Sequence, residues 1–136
     1  MDPVSTSSQW LRQLNKRHRR FFSLARELSF KSDHTSARIG AIIVRTGNVV
    51  SVGFNRQSKT HPSANSFHGT LHAEVDAIVG VDRGSIRSGV CYVYRETRSG
   101  MVGMSKPCLG CQVALQRAGI KKVFYSNINI FGEMKL

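Results

Sequence analysis

The sequence has few acidic residues, few cysteines and no long apolar run. Its 136 residues include only eight Asp and Glu, three Cys and three Pro. No apolar stretch reaches the roughly 18 residues that a membrane span needs, and residues 1–8 lack the charged-then-apolar pattern of a secretion signal. We therefore expect a soluble, cytoplasmic protein without a membrane partner.

The three cysteines, Cys91, Cys108 and Cys111, cannot all pair with one another. Two residues separate Cys108 from Cys111, a spacing that is typical of a metal site, whereas Cys91 lies in an apolar segment where a buried, inert thiol is the common case. The cysteines therefore favour a metal site in a reducing compartment over a disulfide framework.

The shortage of acidic residues leaves a large excess of positive charge. Twenty Lys and Arg give a formal net charge of +12, which attracts polyanions and favours nucleic acid or phosphorylated ligands as partners. A basic surface that only keeps the protein soluble is the alternative. The basic run at residues 16–20 has the same two interpretations, a phosphate contact or a solvated helix face, and the second is the more common.

The apolar residues that remain suffice for one globular core. The chain is 40% hydrophobic and 21% charged, and a chain of this length buries about two-thirds of the surface that it exposes when unfolded. We expect residues 1–136 to form a single domain, with residues 1–8 as a loose tail.

Periodicity predicts helices that alternate with strands. Apolar spacings of three, four and seven indicate a helix at 9–30, and shorter helices follow at 71–79 and 108–118. β-Branched residues and turn signals predict strands at 39–45, 49–54, 89–95 and 121–126. Long loops at 55–70 and 96–106, a turn at 82–85 and an unassigned tail at 127–136 complete the chain. This order predicts a three-layer α-β-α sandwich with a central mixed sheet.

Two short motifs at predicted helix starts carry the chemistry. One is His72-Ala73-Glu74, and the other is Pro107-Cys108-Leu109-Gly110-Cys111. Cysteines three apart at a helix N-terminus face one side, and the helix dipole there lowers thiol pKa values, which favours the thiolates that bind zinc. With His72 as a third ligand, a tetrahedral zinc keeps one position for water, as catalytic zinc sites do.

Glu74 follows the histidine by two residues, so it can face this water without binding the metal. A carboxylate there can take a proton from the zinc-bound water, which then becomes hydroxide. It can pass that proton to a leaving amine. The complete pattern, H-x-E followed by P-C-x-x-C, is the signature of zinc nucleobase deaminases.

With these motifs, the sequence resembles the cytidine/deoxycytidylate deaminase superfamily over residues 22–126. Residues 39–44, 53–55 and 118–123 are similar to family blocks and occur in the family's order. The segment that leads into the first of these blocks is most similar to the deoxycytidylate branch.

The resemblance implies a cytidine-deaminase-like fold and a set of site residues. Zinc would be held by His72, Cys108 and Cys111. Glu74 would shuttle protons, Asn55 would contact the sugar, and the amide of Ala73 would hold the base carbonyl. Arg38 and the basic residues of the loops are candidate phosphate contacts. The resemblance also implies a homo-oligomer in which neighbouring subunits complete the pocket.

The sequence departs from the family pattern at two places. Many relatives have Glu before Pro-Cys, whereas here Lys106 precedes Pro107 and the 96–106 loop intervenes. That loop should lie beside the pocket and affect the choice of substrate. Relatives in the deoxycytidylate branch often carry a second metal group before the His-Ala-Glu motif, and here that loop offers His61 and His68. Two histidines alone are an incomplete zinc site, so solvent-exposed or substrate-facing roles are favoured for them.

The leading hypothesis is zinc-dependent hydrolytic deamination of a cytosine-type base in a free nucleotide or nucleoside, with deoxycytidylate (dCMP) converted to dUMP as the first choice. One alternative is deamination of cytosine or adenine in single-stranded DNA or RNA. Another is a non-catalytic nucleic-acid-binding module with a structural zinc, completed by Cys91, His61 or His68.

Overall fold

A computed structural model of the chain describes residues 6–57 and 71–136. These residues form five helices and six strands. In chain order the elements are α1 (Ser7–Arg12), α2 (Lys16–Ser29), β1 (Arg38–Arg45), β2 (Asn48–Phe54), α3 (Ala73–Ile78), α4 (Arg83–Ile86), β3 (Val90–Glu96), β4 (Val102–Gly103), α5 (Leu109–Arg117), β5 (Lys122–Ser126) and β6 (Phe131–Lys135). Within the described residues, no helix combines the length and apolarity that crossing a membrane requires.

The strands form one mixed sheet in the order β2-β1-β3-β5-β6, and β4 pairs with the end of β3. Strands β3 and β5 run parallel, while β1 is antiparallel to both β2 and β3 and β6 is antiparallel to β5. The predicted mixed central sheet is thereby confirmed.

Alternation along the strands divides the core into two layers. On β3, Tyr92 and Tyr94 pack with the apolar residues of α1 and α2, while Cys91 and Val93 pack with those of α3, α4 and α5. Because successive side chains of a strand point to opposite faces, helices cover both faces of the sheet. The predicted α-β-α sandwich is therefore confirmed, and the single-domain expectation stays a prediction.

The predicted helix at 9–30 is wrong in its continuity, because it is two helices. The side chain of Asn15 accepts a hydrogen bond from the His18 amide at 2.9 Å and begins α2, which is the typical role of Asn at a helix start. The predicted loose tail is also wrong for its last residues, since Thr6 caps α1 and Ser7 is buried in that helix.

Three further segments differ from the prediction. The 96–106 loop contains the short strand β4, the 82–85 turn forms α4, and the unassigned tail contains β6. Strand β4 pairs at only two positions, and β6 lies at the sheet edge with a half-exposed pattern. Neither strand has the apolar run or alternation that reveals a strand in sequence.

A glycine brings α3 close to the sheet. A Cβ added to Gly53 on β2 would lie 2.5 Å from the Ala77 nitrogen and 2.6 Å from the Ala73 oxygen, both of them backbone atoms of α3. Only glycine permits this separation. The contact fixes the start of α3 next to the carboxyl end of β2.

Candidate functional site

The predicted zinc ligands converge where α3 and α5 begin. His72 is the N-cap residue of α3, Cys108 is the N-cap residue of α5, and Cys111 lies in the first turn of α5. The Nδ1 atom of His72 lies 3.2 Å from the Sγ of Cys111 and 3.6 Å from the Sγ of Cys108. Residues 36 to 39 positions apart in sequence thus form one cluster.

The cluster has the dimensions of a tetrahedral zinc site. Zinc bonds of about 2.0 Å to nitrogen and 2.3 Å to sulfur place these ligand atoms about 3.5 Å from one another. One ligand atom from each of the three residues lies within 4.8 Å of the others. The donor set of one imidazole and two thiols is also one that zinc prefers. These residues fit Zn²⁺, which is the cofactor that the site indicates.

The Cys111 thiol does not follow the expectation of a lowered pKa at a helix start. Burial raises the pKa of this thiol far above its usual range, and the nearby Glu74 and Cys108 add to the rise. The apolar surroundings therefore outweigh the helix dipole in the metal-free chain. A metal cation is what stabilises a thiolate in such a place.

Cys91 lies outside this cluster. It is buried in the middle of β3, and burial raises the pKa of its thiol well above the usual value. Within the described residues, the group that could hold a metal comprises the three predicted ligands and does not include Cys91. The expectation that Cys91 is buried is confirmed, and its inertness stays a prediction. His61 and His68, the other residues considered for a second metal group or as additional ligands, lie outside the described residues.

Glu74 stands beside the cluster on the first turn of α3. Its side chain is 5% exposed, and burial raises the pKa of its carboxyl to about 7, although hydrogen bonds from its own backbone and from the Cys111 thiol oppose the rise. Glu74 is therefore a buried carboxyl close to one of the candidate zinc ligands.

The cluster and Glu74 open into a cavity of about 590 Å³, a volume typical of small-molecule sites. The walls come from the segment before β1, the end of β2, the start of α3, the end of β3 and the segment before α5. The lining residues are His34, Ala37, Ile39, Asn55, Gln57, His72, Ala73, Glu74, Arg95, Met104, Ser105, Lys106 and Cys108. The expectation that the 96–106 loop lies beside the pocket is confirmed by the last part of that loop.

The predicted substrate contacts divide into two groups. Asn55 and Ala73 line the cavity, whereas Arg38 is not among the lining residues. The Arg38 guanidinium instead donates a hydrogen bond to the Thr97 carbonyl at 2.9 Å and lies over the Phe30 ring. The roles of Asn55 and Ala73 in binding stay predictions.

Asn55 is held firmly at the cavity wall. Its Oδ1 accepts a hydrogen bond from the Ile39 amide at 2.8 Å, and its Nδ2 donates to the Ala37 carbonyl at 2.6 Å. Asp76 of α3 holds the chain on both sides of it, because its Oδ2 accepts from the Phe54 amide and from Arg56 at 3.1 and 3.3 Å. Asp76 is thus a positioning residue that the sequence did not single out.

Arg95, which lines the cavity, also was not singled out by the sequence. A signal was present, because Cys91, Val93 and Arg95 alternate along one strand and so share a face. That face carries α3 and α5, and with them the zinc ligands.

Comparison with known sequences identifies the family. The family profile described as "Cytidine and deoxycytidylate deaminase zinc-binding region" matches residues 15–127. The chain belongs to this family. The matched range includes the four residues of the predicted zinc site and proton shuttle, His72, Cys108, Cys111 and Glu74, and also Asn55.

One curated relative of this deaminase-family chain is a "Probable deoxycytidylate deaminase" of Caenorhabditis elegans. It is 28% identical over 122 residues, which cover 81% of this chain and 57% of the nematode protein. The chain therefore spans little more than half the length of that relative.

Solved structures share the fold. The dCMP deaminase of the cyanophage S-TIM5 in apo form matches with a TM-score of 0.62 and 24% identity, over 84% of this chain and 85% of the phage chain. The same enzyme in complex with dCMP and dUMP matches with a TM-score of 0.60 and 21% identity, over 82% of each chain. At this identity the likeness establishes the fold.

Proposed function

We propose that the protein hydrolytically deaminates a cytosine-type base in a free nucleotide or nucleoside, with dCMP to dUMP as the first reaction to test. The observation that carries the proposal is the convergence of His72, Cys108 and Cys111 beside the buried carboxyl of Glu74 in one cavity. The nematode relative and the phage structures are named as dCMP deaminases, which supports the choice of substrate.

Zinc held by His72, Cys108 and Cys111 would supply a Lewis acid that makes water nucleophilic near neutral pH. Glu74 accepts the proton that this water releases and donates a proton to the departing amino group. The bond between C4 and the amino nitrogen of cytosine breaks, a bond from C4 to the water oxygen forms, and uracil and ammonia are the products.

The remaining cavity residues orient the substrate and exclude water. The amide of Ala73 lies at the first position of α3 and donates to the base carbonyl. Asn55 keeps one N–H of its amide for the sugar, because the other is bound to the Ala37 carbonyl. Since two hydrogen bonds to the backbone of Ala37 and Ile39 hold the Asn55 side chain in place, it binds substrate without first being ordered.

A mass-spectrometric screen of the zinc-loaded protein tests the proposal. Cytidine, deoxycytidine, their phosphates, adenine and guanine compounds, and single-stranded DNA and RNA are offered separately. The proposal predicts a gain of one mass unit in a free cytosine nucleotide or nucleoside. A gain confined to polymers would replace it with the polynucleotide alternative, and no gain with zinc bound would leave the non-catalytic alternative.

A nucleic-acid substrate is the second candidate, and the net charge of +12 favours it. The protein has a basic cluster at the start of α2, defined as Lys16, Arg17, Arg19 and Arg20. These residues share a groove with Gly47, in the turn that follows β1, whereas the cavity meets β1 at its other end through Ile39. The basic cluster is thus remote from the zinc ligands, which favours the free nucleotide.

A homo-oligomer and a cytoplasmic location stay predictions.

A further inference from the structure

Arg95 has a place of its own in the cavity wall. It lies at the carboxyl end of β3, opposite Ile39 of β1 and opposite Gly103 of β4. Its side chain is half-buried and lines the same cavity as His72 and Glu74.

Gly103 makes room for the aliphatic part of Arg95. A Cβ added to Gly103 would lie 2.8 Å from Cδ and 2.9 Å from Cγ of Arg95. The Arg95 amide donates to the Ser126 hydroxyl at 3.1 Å, and that hydroxyl donates to the Gly103 carbonyl at 2.7 Å. The arginine is therefore held between two strands, with its direction fixed by the neighbouring backbone.

The charged end of Arg95 has no partner in the described part of the chain. Its Nε is buried without a hydrogen bond, and the ion pairs among residues 6–57 and 71–136 are Arg26 with Glu96, Arg56 with Asp76, and Lys122 with Glu133. A buried N–H group without an acceptor is destabilising until an acceptor reaches it.

Lys106 adds a second positive charge to the same cavity. It is exposed and lies two residues before the candidate zinc ligand Cys108. Its neighbour Ser105 is buried and fixed, because the Ser105 hydroxyl donates to the Val93 carbonyl and accepts from the Ser126 amide at 2.8 and 2.7 Å. Lys106 thus projects from a rigid backbone.

The two cations exceed the negative charge of the cavity walls. Of the lining residues, Glu74 alone carries a carboxylate, and that group is buried beside Cys111. Arg matches the oxygens of a phosphate through paired N–H groups, and Lys adds a point charge. The cavity volume of about 590 Å³ leaves room for a phosphate beside a nucleoside.

We propose that Arg95 and Lys106 form a phosphate subsite, so that the substrate of the proposed deamination is a nucleoside monophosphate. This inference rests on the proposed function and names its substrate class. Arg95 is the principal contact, Lys106 assists it, and Gly103 is the glycine that admits the arginine. The 5′-phosphate of a free mononucleotide is the intended source of the phosphate.

The first experiment compares dCMP with deoxycytidine as substrates of the zinc-loaded protein. Arg95→Gln should lower kcat/KM for dCMP by about 10- to 100-fold, which is the effect of losing a charge-assisted hydrogen bond. It should change kcat/KM for deoxycytidine by less than about threefold, because deoxycytidine has no phosphate to lose a contact with. Arg95→Lys should recover part of the preference for dCMP, and Gly103→Ala should lose part of it.

Arg98→Gln is the matched control. It removes one positive charge from an exposed position of the 96–106 loop, outside the cavity. The ratio of kcat/KM for dCMP to kcat/KM for deoxycytidine should therefore stay unchanged. An equal loss for both substrates in Arg95→Gln, or an unchanged preference for dCMP, would overturn the proposal.

The second experiment measures binding without turnover. Calorimetry on zinc-loaded Glu74→Gln, with and without Arg95→Gln, uses dCMP, deoxycytidine and a single-stranded oligodeoxycytidine as probes. We expect Arg95→Gln to weaken the binding of dCMP and to leave the binding of the other two probes unchanged. An effect confined to the oligonucleotide would contradict a mononucleotide subsite. If no substrate is turned over, the proposed function fails, while this binding result still decides the phosphate subsite.

Discussion

Burial determines the chemistry of single residues in this protein more than charged neighbours do. It is the largest influence on the pKa of Glu74, Cys111 and Cys91, and in each case it raises the pKa. A buried thiol such as that of Cys111 becomes a thiolate when a cation compensates for the lost solvation. The candidate metal site therefore also contributes to the stability of the zinc-loaded fold.

Replacing Cys111 tests this coupling. Cys111→Ser should reduce bound zinc from one per chain to a small fraction, because a hydroxyl is a poor zinc ligand, and the Tm measured with zinc should fall. Metal analysis and thermal unfolding provide the readouts. Cys91→Ala is the control, since Cys91 is buried outside the ligand cluster. Loss of zinc from Cys91→Ala, or full zinc in Cys111→Ser, would refute the ligand assignment.

His18 illustrates the same effect on a base. The sequence analysis gave it no role within the basic run, but its ring packs against those of Tyr92, Phe124 and Phe131. Its Nδ1 also forms a hydrogen bond of 2.8 Å with the Tyr92 hydroxyl. Burial lowers the pKa of His18 from its ordinary 6.5, the charge of Arg17 lowers it further, and Glu133 partly opposes them.

This lowered pKa predicts a pH dependence of stability. The unfolded chain binds a proton at His18 more readily than the folded chain, so the stability that neutral His18 contributes is complete above pH 6.5 and decreases as the pH falls below it. Urea unfolding is measured at about pH 7.5 and at about pH 5.5. The free energy of unfolding should fall more between these two pH values for the unmodified chain than for His18→Phe. Parallel pH curves for the two proteins would contradict the account.

The residues of the site were predicted to different degrees. His72, Glu74, Cys108 and Cys111 could be found because metal and proton chemistry restricts the residue types at short spacing. Arg95 could not be found as directly, since its role depends on which strand face meets the cavity. The phosphate contact predicted at Arg38 illustrates the difference, because Arg38 is adjacent to Ile39, which lines the cavity, but points to Thr97 and Phe30 instead.

At the scale of elements, the site depends on the contact between β2 and α3. Gly53 allows the backbone of α3 to approach the strand, and α3 carries Glu74 two residues after its N-cap residue His72. A side chain at Gly53 would therefore disturb the position of the metal ligand His72 as well as the packing.

Gly53→Ala should destabilise the fold by about 1–3 kcal/mol through overpacking, and it should weaken zinc binding by displacing His72. Urea unfolding and competition with a zinc chelator measure the two effects. Gly84→Ala is the control, because a Cβ at Gly84 meets only the flexible side chain of Asp82 at 3.0 Å. Unchanged stability and zinc affinity in Gly53→Ala would show that α3 does not depend on this contact.

The predicted elements succeeded where burial leaves a pattern. Strand β1 is apolar because helices cover both of its faces, and its burial is nearly continuous. The break between α1 and α2 depends on a side-chain cap at Asn15, and β4 depends on pairing with β3. Such features arise from single hydrogen bonds and distant partners, which periodicity does not report.

At the scale of the whole molecule, the positive charge behind the formal net charge of +12 includes two separate groups, the basic cluster of α2 and the pair Arg95 and Lys106 in the cavity. The basic cluster of α2 lies beside the turn after β1, and the cavity lies toward the start of β1. The eight residue-to-residue steps from Ile39 to Gly47 span about 26 Å if extended at about 3.3 Å each. A polyanion bound to the basic cluster would thus lie far from the zinc ligands.

This separation predicts that nucleic-acid binding and deamination are independent. Lys16→Gln combined with Arg20→Gln should weaken binding of a single-stranded oligonucleotide and reduce its salt dependence, while kcat/KM for dCMP changes less than about twofold. Titrations at about 50 and 200 mM salt measure the binding. Arg83→Gln with Arg87→Gln removes the same charge elsewhere and serves as control. A parallel loss of dCMP turnover in the α2 variant would contradict the separation.

The central claim is that the zinc cluster and Glu74 together form a deaminase site. The most direct measurement incubates the zinc-loaded protein and its Glu74→Gln variant with dCMP and follows dUMP by mass spectrometry, with bound zinc determined in both. We expect dUMP from the unmodified protein and a rate at least about 100-fold lower from Glu74→Gln, with zinc retained in both. Equal rates from the two proteins, or no deaminated product from the zinc-loaded protein, would contradict the account.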